Sequence, residues 1–275
     1  MNPLQAKQFE MLKVFVDICD KYNLNYILVG GTCLGAIRHK GFIPWDDDID
    51  IMMPRGDYQR FLQVTQESPD ERYQLCSVEN NEKLTAPLAK LIDKKTILNQ
   101  TGHAEKMNLG LYVDIFVLDG VPDNENLRRC FIKMLTFLQK VWGGLEYEKR
   151  PIDIRGKKVE NRIKNSISHV LRWLTTAESV SKKICKLAQK YNYDECSLVA
   201  PLCYSSNRKK RTMEKSIYGK GIRLEFENNM FVVPEKYETF LRITYGDYME
   251  LPPKEEQVSH HRYDLKFLDE ESDGL

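Results

Sequence analysis

Four aspartates, Asp46, Asp47, Asp48 and Asp50, fall within five positions of a 275-residue chain, directly after Trp45. Like charges a few ångströms apart repel by about 1 kcal/mol in water and by several times that near a protein surface. No run of Lys or Arg stands beside them, so the cluster calls for a cation, and hard carboxylate oxygens suit Mg²⁺. Ile49, Ile51 and Met53 alternate with Asp48, Asp50 and Met52, the period-two pattern of a strand, which puts Asp46, Asp48 and Asp50 on one face. Alternate residues of a strand stand roughly 6.5 to 7 Å apart, and carboxylates at i and i+2 can reach inward to share two ions about 3.5 to 4 Å apart. Asp47 then has the wrong parity for a ligand, and Pro44 with Asp46 and Asp47 equally suits a turn.

A two-metal site needs a further carboxylate from elsewhere. The apolar run from Leu111 to Leu118 carries Asp114 in its middle, where an aspartate costs several kcal/mol unless paired or coordinated. Asp114 reads as a third metal ligand, as the base that takes a proton from an acceptor, or as half of a salt bridge. Asp119, beside Gly120, reads as a turn residue closing that strand.

The elements that must position these groups follow from pattern. Asn2 can cap a helix with Pro3 at its first position, and Phe9, Leu12, Val16 and Cys19 recur at helical spacing. A strand from Tyr26 to Val29 leads into Gly30 and Gly31, which either let backbone N–H groups approach a phosphate or form a plain tight turn. Thr32 opens a helix ending near His39, and a helix N-terminus is an anion site. The middle of the chain is helical, with Val159, Ile163, Ile167, Val170 and Leu174 as one stripe and Val180, Ile184 and Leu187 as another. The segment from Phe131 to Trp142 combines large apolar residues with Lys133 and Lys140; it is either a core helix, the favoured reading, or one that rests on an anionic membrane. Arg208 to Arg211 reads as a solvated basic loop. Arg223 to Glu227, a turn at Asn228 and Asn229, and Met230 to Val233 form a hairpin. A short helix follows from about Lys236 to Thr244.

A net charge of +1 and no sustained basic face exclude nucleic acid as an expected partner. Met1 leads into charged, amphipathic sequence, so no secretory leader is expected, and no stretch reaches the length of a spanning helix. Seven scattered cysteines without a Cys-x-x-Cys pair fit reduced thiols and a cytoplasmic protein. A zinc site from Cys196 and Cys203 is disfavoured for want of a histidine at finger spacing.

The run from Leu28 to Trp45 with its following aspartates closely resembles the LicD family of phosphocholine transferases, relatives of fukutin-type glycan phosphotransferases. Ala89-Lys90-Leu91-Ile92-Asp93, Tyr112-Val113-Asp114-Ile115-Phe116, Val233-Pro234, Tyr245-Gly246-Asp247-Tyr248-Met249 and Leu251-Pro252-Pro253 look like that family's later motifs in the expected order. The stretch from about Asn124 to Arg211 is least matched. The resemblance implies an α/β fold of nucleotidyltransferase type, a mixed sheet flanked by helices. It divides into a catalytic core over 1–123, a mainly helical insertion over 124–211, and a C-terminal hairpin, short helix and returning loop over 212–275.

It also implies a Mg²⁺-dependent phosphotransferase that moves phosphocholine from CDP-choline to a sugar hydroxyl of a cell-surface glycan precursor, of teichoic acid or lipopolysaccharide type, and releases CMP. The acceptor is expected to be lipid-linked, and the protein to touch the inner face of the plasma membrane. Alternatives are transfer of ribitol phosphate or a similar group, or nucleotidyl transfer from ATP or CTP. Asp48, Asp50 and Asp114 are the expected metal-binding and catalytic residues. Gly30, Gly31, Thr32, Arg38, Lys90 and Asp247 are expected to bind substrate, with Arg38 and Lys90 on phosphate. Trp45 and Tyr112 are candidate aromatic faces for choline. His260 and His261 recur at this place in the family and could touch metal or phosphate.

Overall fold

The computed structural model describes residues 1–80, 84–100, 109–147, 173–205, 207–259 and 263–268. Helix α1 (Pro3–Tyr22) opens with a reciprocal cap: the Asn2 side chain accepts from the Gln5 N–H and the Gln5 side chain accepts from the Asn2 N–H. It closes on Asn23 in the left-handed conformation. Its Met11, Leu12, Phe15 and Cys19 are wholly buried.

The chain then builds a curled mixed sheet. Its strands are β1 (Ile27–Leu28), β2 (Asp50–Pro54), β3 (Tyr73–Cys76) and β4 (Ala89–Asp93), followed, after β5 (Thr96–Gln100), by β6 (Tyr112–Val121), β7 (Leu198–Pro201) and β8 (Met213–Glu214). The order across the sheet is β1-β2-β6-β4-β3, with β7 on the far half of β6 and β8 on β7. Only β2 and β6 run parallel among these pairs. Because β2 and β6 are parallel, a long crossover must join them, and α3 (Arg55–Glu67), β3 and β4 supply it. The register sets Asp50 opposite Asp114, and Asp114 opposite Lys90. The three residues thus form one row across three neighbouring strands.

Helix α2 (Gly30–Arg38) follows β1 directly. Helices α4 (Glu125–Tyr147) and α5 (Ala177–Ala188) pack together through Phe131, Leu135, Trp142, Val180 and Ile184, over Val121, Ala200 and Leu202. So α4 is a core helix on one face, as its apolar stripe implied. Leu127, Met134 and Phe137 nevertheless remain exposed on it, Phe137 by 64%. The stripe from Val159 to Val170 lies outside the described residues. No helix among the described residues is long and apolar enough to cross a membrane.

Three local expectations need correction. The turn alternative holds at Asp46, whose N–H closes onto Ile43 O at 2.9 Å, and the strand expected to include Asp48 begins only at Asp50. Asp119 is no turn residue: β6 runs on to Val121, and Asp119, 1% exposed, receives Arg55 Nε at 2.7 Å and Nη2 at 2.9 Å. The hairpin of β9 (Ile222–Phe226) and β10 (Asn229–Val233) turns at Glu227 and Asn228, both at positive φ, one residue earlier than expected. Glu227 is held there because its Oε1 accepts the Phe42 N–H at 3.0 Å and its N–H reaches Lys40 O at 2.9 Å. Gly41 leaves the room, since a Cβ there would meet that carboxylate at 2.2 Å.

After β7 comes a single basic turn, α6 (Arg208–Arg211); α7 (Lys215–Tyr218) follows β8, and α8 (Tyr237–Tyr245) follows the hairpin. Strand β11 (Tyr263–Phe267) pairs with β5.

Candidate active site

The expected glycine turn is the first turn of α2, which starts at Gly30 rather than Thr32, and it packs directly on the aspartates. Gly30 has φ +58, and a Cβ on it would stand 2.1 Å from Asp50 Oδ2; a Cβ on Gly31 would stand 2.2 Å from Asp46 Oδ2. Both distances are far inside van der Waals contact, so the missing side chains are what let two carboxylates sit against the start of α2. The Thr32 hydroxyl, 3% exposed, accepts the Asp50 N–H at 2.9 Å. Thr32 therefore acts on the aspartate strand and does not line the cleft described below.

Two glutamines on the buried face of α1 hold the acidic loop by its backbone. Gln5 Nε2 donates to Asp46 O at 2.9 Å, and Gln8 Nε2 to Asp47 O at 3.1 Å and Tyr112 O at 3.4 Å. Ser259 donates to Asp47 Oδ2, which brings the C-terminal segment onto the loop. Sequence reasoning missed these residues, whose one signal in the sequence is that Gln5 and Gln8 share the helical spacing of the apolar Phe9 and Leu12.

The loop departs from strand parity. Carboxylate atoms of Asp46, Asp47 and Asp48 all lie within 4.8 Å of one another, so Asp47, set aside by its position, joins the cluster. Burial, reinforced by Asp48 and Asp47, pushes the Asp46 carboxyl up to about 7. Burial, then Asp48, Asp114 and Asp46, push Asp50 well above the carboxylate range, with Arg211 opposing. Carboxyls that resist ionisation until their mutual repulsion is offset are a fitting donor set for a hard divalent cation.

Asp114 shows the salt-bridge alternative: Lys90 Nζ lies 2.5 Å from its Oδ1. The same ammonium sits 3.3 Å from the centroid of the Tyr112 ring, which occupies that aromatic face. Arg38 Nη1 donates to Tyr248 O at 3.1 Å and Glu250 O at 3.2 Å, fastening the loop that carries Asp247. That loop forms one wall of a cleft of about 600 Å³ whose lining includes Gly31, Arg38, Trp45, Asp46, Asp48, Asp50, Tyr245 and Asp247. The volume suits a small-molecule ligand.

Gly31, Arg38, Asp48, Asp50 and Asp247 thus come together on the cleft, and Gly30 abuts it through Asp50. Asp114 and Lys90 stand beside Asp50 in the sheet without lining the cleft. His260 and His261 lie outside the described residues. The basic run at Arg208 is no solvated loop: Arg208, 3% exposed, binds Leu202 O at 2.8 Å and Cys203 O at 3.1 Å.

Residues 23–127 match the family model described as LicD/FKTN/FKRP, nucleotidyltransferase domain. A Haemophilus influenzae protein described as lipopolysaccharide cholinephosphotransferase LicD is 34% identical over 253 residues, covering 91% of this chain and 92% of its own. An uncharacterized Rickettsia prowazekii protein is 30% identical over 116 residues, 42% of this chain and 40% of that one. An uncharacterized Rickettsia typhi protein is 39% identical over 56 residues, 20% and 18% of the two chains.

Proposed function

The chain belongs to the LicD family of phosphocholine transferases, and from that premise we propose that it moves phosphocholine from CDP-choline to a sugar hydroxyl of a glycan precursor, releasing CMP. The observation that carries the reading is the convergence of Asp46, Asp48 and Asp50 on one cleft large enough for a nucleoside diphosphate ester. A lipopolysaccharide-type acceptor is favoured over teichoic acid by the name of the Haemophilus relative. The acceptor is lipid-linked in this reading, and the exposed Leu127, Met134 and Phe137 of α4 are the apolar surface that would rest on the cytoplasmic membrane face.

Asp46, Asp47 and Asp48, whose carboxylate atoms lie within 4.8 Å of one another, would hold divalent metal, with Asp50 beside them on the cleft. A divalent ion held there would supply positive charge against the donor's diphosphate. The chain's own residues do the rest. The acceptor oxygen attacks the phosphorus that bears choline, the bond from that phosphorus to CMP breaks, and the hydroxyl proton passes to a base. In this reading Asp114, set opposite Asp50 by the sheet register and paired with Lys90 through Oδ1, is the base only if the acceptor hydroxyl reaches past the cleft lining to it. Arg38 holds the Tyr248 to Glu250 loop over the cleft, an arrangement that keeps the donor oriented and limits entry of water.

Calorimetric titration with CDP-choline, CDP-ribitol, CTP and ATP, each with and without Mg²⁺, tests the reading. Mg²⁺-dependent binding of CDP-choline with CMP release on turnover is expected. Preference for a nucleoside triphosphate with pyrophosphate release would replace it by nucleotidyl transfer.

A further inference from the structure

The two cations offered by the sequence for phosphate contact are already engaged, Arg38 by two backbone carbonyls and Lys90 by Asp114. The cation that faces Asp50 comes from α6. Arg211 lines a small cavity of about 160 Å³ together with Gly30, Asp50, Phe116, Tyr204 and Ser205. Asp50 lines both this cavity and the wide cleft, so the two share it as a wall residue. The positive charge of Arg211 acts on Asp50 and on Tyr245, another lining residue of the wide cleft. Among the described residues, none accepts a hydrogen bond from its guanidinium.

The rest of α6 serves to keep Arg211 in place. Arg208 is clamped to the end of β7 through Leu202 O and Cys203 O. Lys210 Nζ reaches Thr244 O at 2.9 Å, in the last turn of α8. The Asn207 side chain accepts the Lys210 N–H at 3.0 Å, and the Thr212 hydroxyl bonds Arg208 O at 2.7 Å. Two of the four basic residues thus hold backbone, which fixes the main chain at Arg211, and Arg211 itself lines a cavity of phosphate size. A guanidinium fork carried on a fixed backbone matches a phosphate bidentately.

We propose that the cavity between Gly30, Asp50, Ser205 and Arg211 is a phosphate subsite, and that Arg211 binds there one phosphate of the donor's diphosphate. The inference rests on the phosphotransfer reading for the identity of the ligand, and on the cavity alone for its charge. An Arg at this point opposes the negative charge that grows on the bridging and leaving oxygens as the bond breaks.

The test compares wild type with Arg211→Ala and Arg211→Lys by calorimetry in Mg²⁺, using inorganic pyrophosphate, CMP and phosphocholine as probes, with Mg²⁺ titrated separately. Arg211→Ala is expected to weaken pyrophosphate by about 10- to 100-fold, the value of a charge-assisted contact, and Arg211→Lys to recover part of it. Parallel weakening of CMP assigns the subsite to the leaving phosphate, and of phosphocholine to the transferred one. Should Arg211→Ala fail to fold, Arg211→Lys, which keeps the charge and loses the fork, must still weaken pyrophosphate at least severalfold. Unchanged pyrophosphate affinity, no pyrophosphate binding by the wild type, or loss confined to Mg²⁺ binding would each overturn the subsite. If pyrophosphate binding depends on Arg211 while CDP-choline is not turned over, the subsite stands and the donor assignment falls.

Discussion

Gly31→Ala is the sharpest perturbation of the site, because it adds one methyl group and no charge. Its Cβ would lie 2.2 Å from Asp46 Oδ2, where ordinary contact starts at 3.4 Å, so the carboxylate must retreat by about 1 Å. A misplacement of that size can cost about 100-fold in rate. The backbone of Gly31 is not at positive φ, so the fold should lose little. Gly30→Ala differs: its Cβ would lie 2.1 Å from Asp50 Oδ2 and φ is +58, which adds left-handed backbone strain of about 1–2 kcal/mol to a similar displacement. The expected pattern is therefore a loss of turnover of about 100-fold in both variants, with a clear fall in thermal stability only for Gly30→Ala. The assay is CMP release from CDP-choline with a suitable acceptor, alongside thermal unfolding without metal. If folded Gly31→Ala turned over within threefold of wild type, the idea that the glycines exist to admit the carboxylates would fail.

Asp48→Asn should fold normally, bind Mg²⁺ far more weakly by calorimetry and lose turnover; retained Mg²⁺-dependent activity would refute its place among the ligands. Saturating Mg²⁺ should raise the unfolding temperature of the wild type, by about 2.7 kcal/mol of stability at 100 times the dissociation constant, and this gain should vanish in Asp48→Asn. Asp119→Ala leaves Arg55 buried without its bidentate partner and should destabilise the fold by about 3–5 kcal/mol, read as a lowered denaturant midpoint. Gln8→Leu removes the donor to Asp47 O and Tyr112 O, and should cost about 1–3 kcal/mol together with a fall in kcat; stability loss with unchanged kcat would mean that Gln8 supports the fold and not the loop.

What the chain declared in advance was local. The cap at Asn2, the helix that follows β1, the apolar run of β6 around Asp114 and the stripes of α1 and α5 all depend on neighbours within a few residues, and period and cap chemistry report such neighbours faithfully, although α2 begins at Gly30 and not at Thr32. Asp47 stands with Asp46 and Asp48 because the turn over Pro44 and Trp45, one of the two alternatives open from the residues, ends the alternation before Asp50 and leaves the three carboxylates in a loop where they converge. The pairing of Lys90 with Asp114 was likewise hidden, since it is created by the register of β4 against β6, and register is a property of two distant segments.

Positioning residues were the least legible, and their sequence positions explain why. Gln5 and Gln8 lie about forty residues before the loop they hold, and Arg211 lies 161 positions after Asp50, so no spacing rule connects them to the aspartates. Each carries instead a mark of conflict: an amide on a buried helical face, or a basic tetrad of which one member is 3% exposed. Such conflicts are costly unless a partner resolves them. A polar side chain that its own helix cannot satisfy therefore points outward to a long-range contact, and in this chain two of those contacts end on the acidic loop that the sequence had already singled out for chemistry.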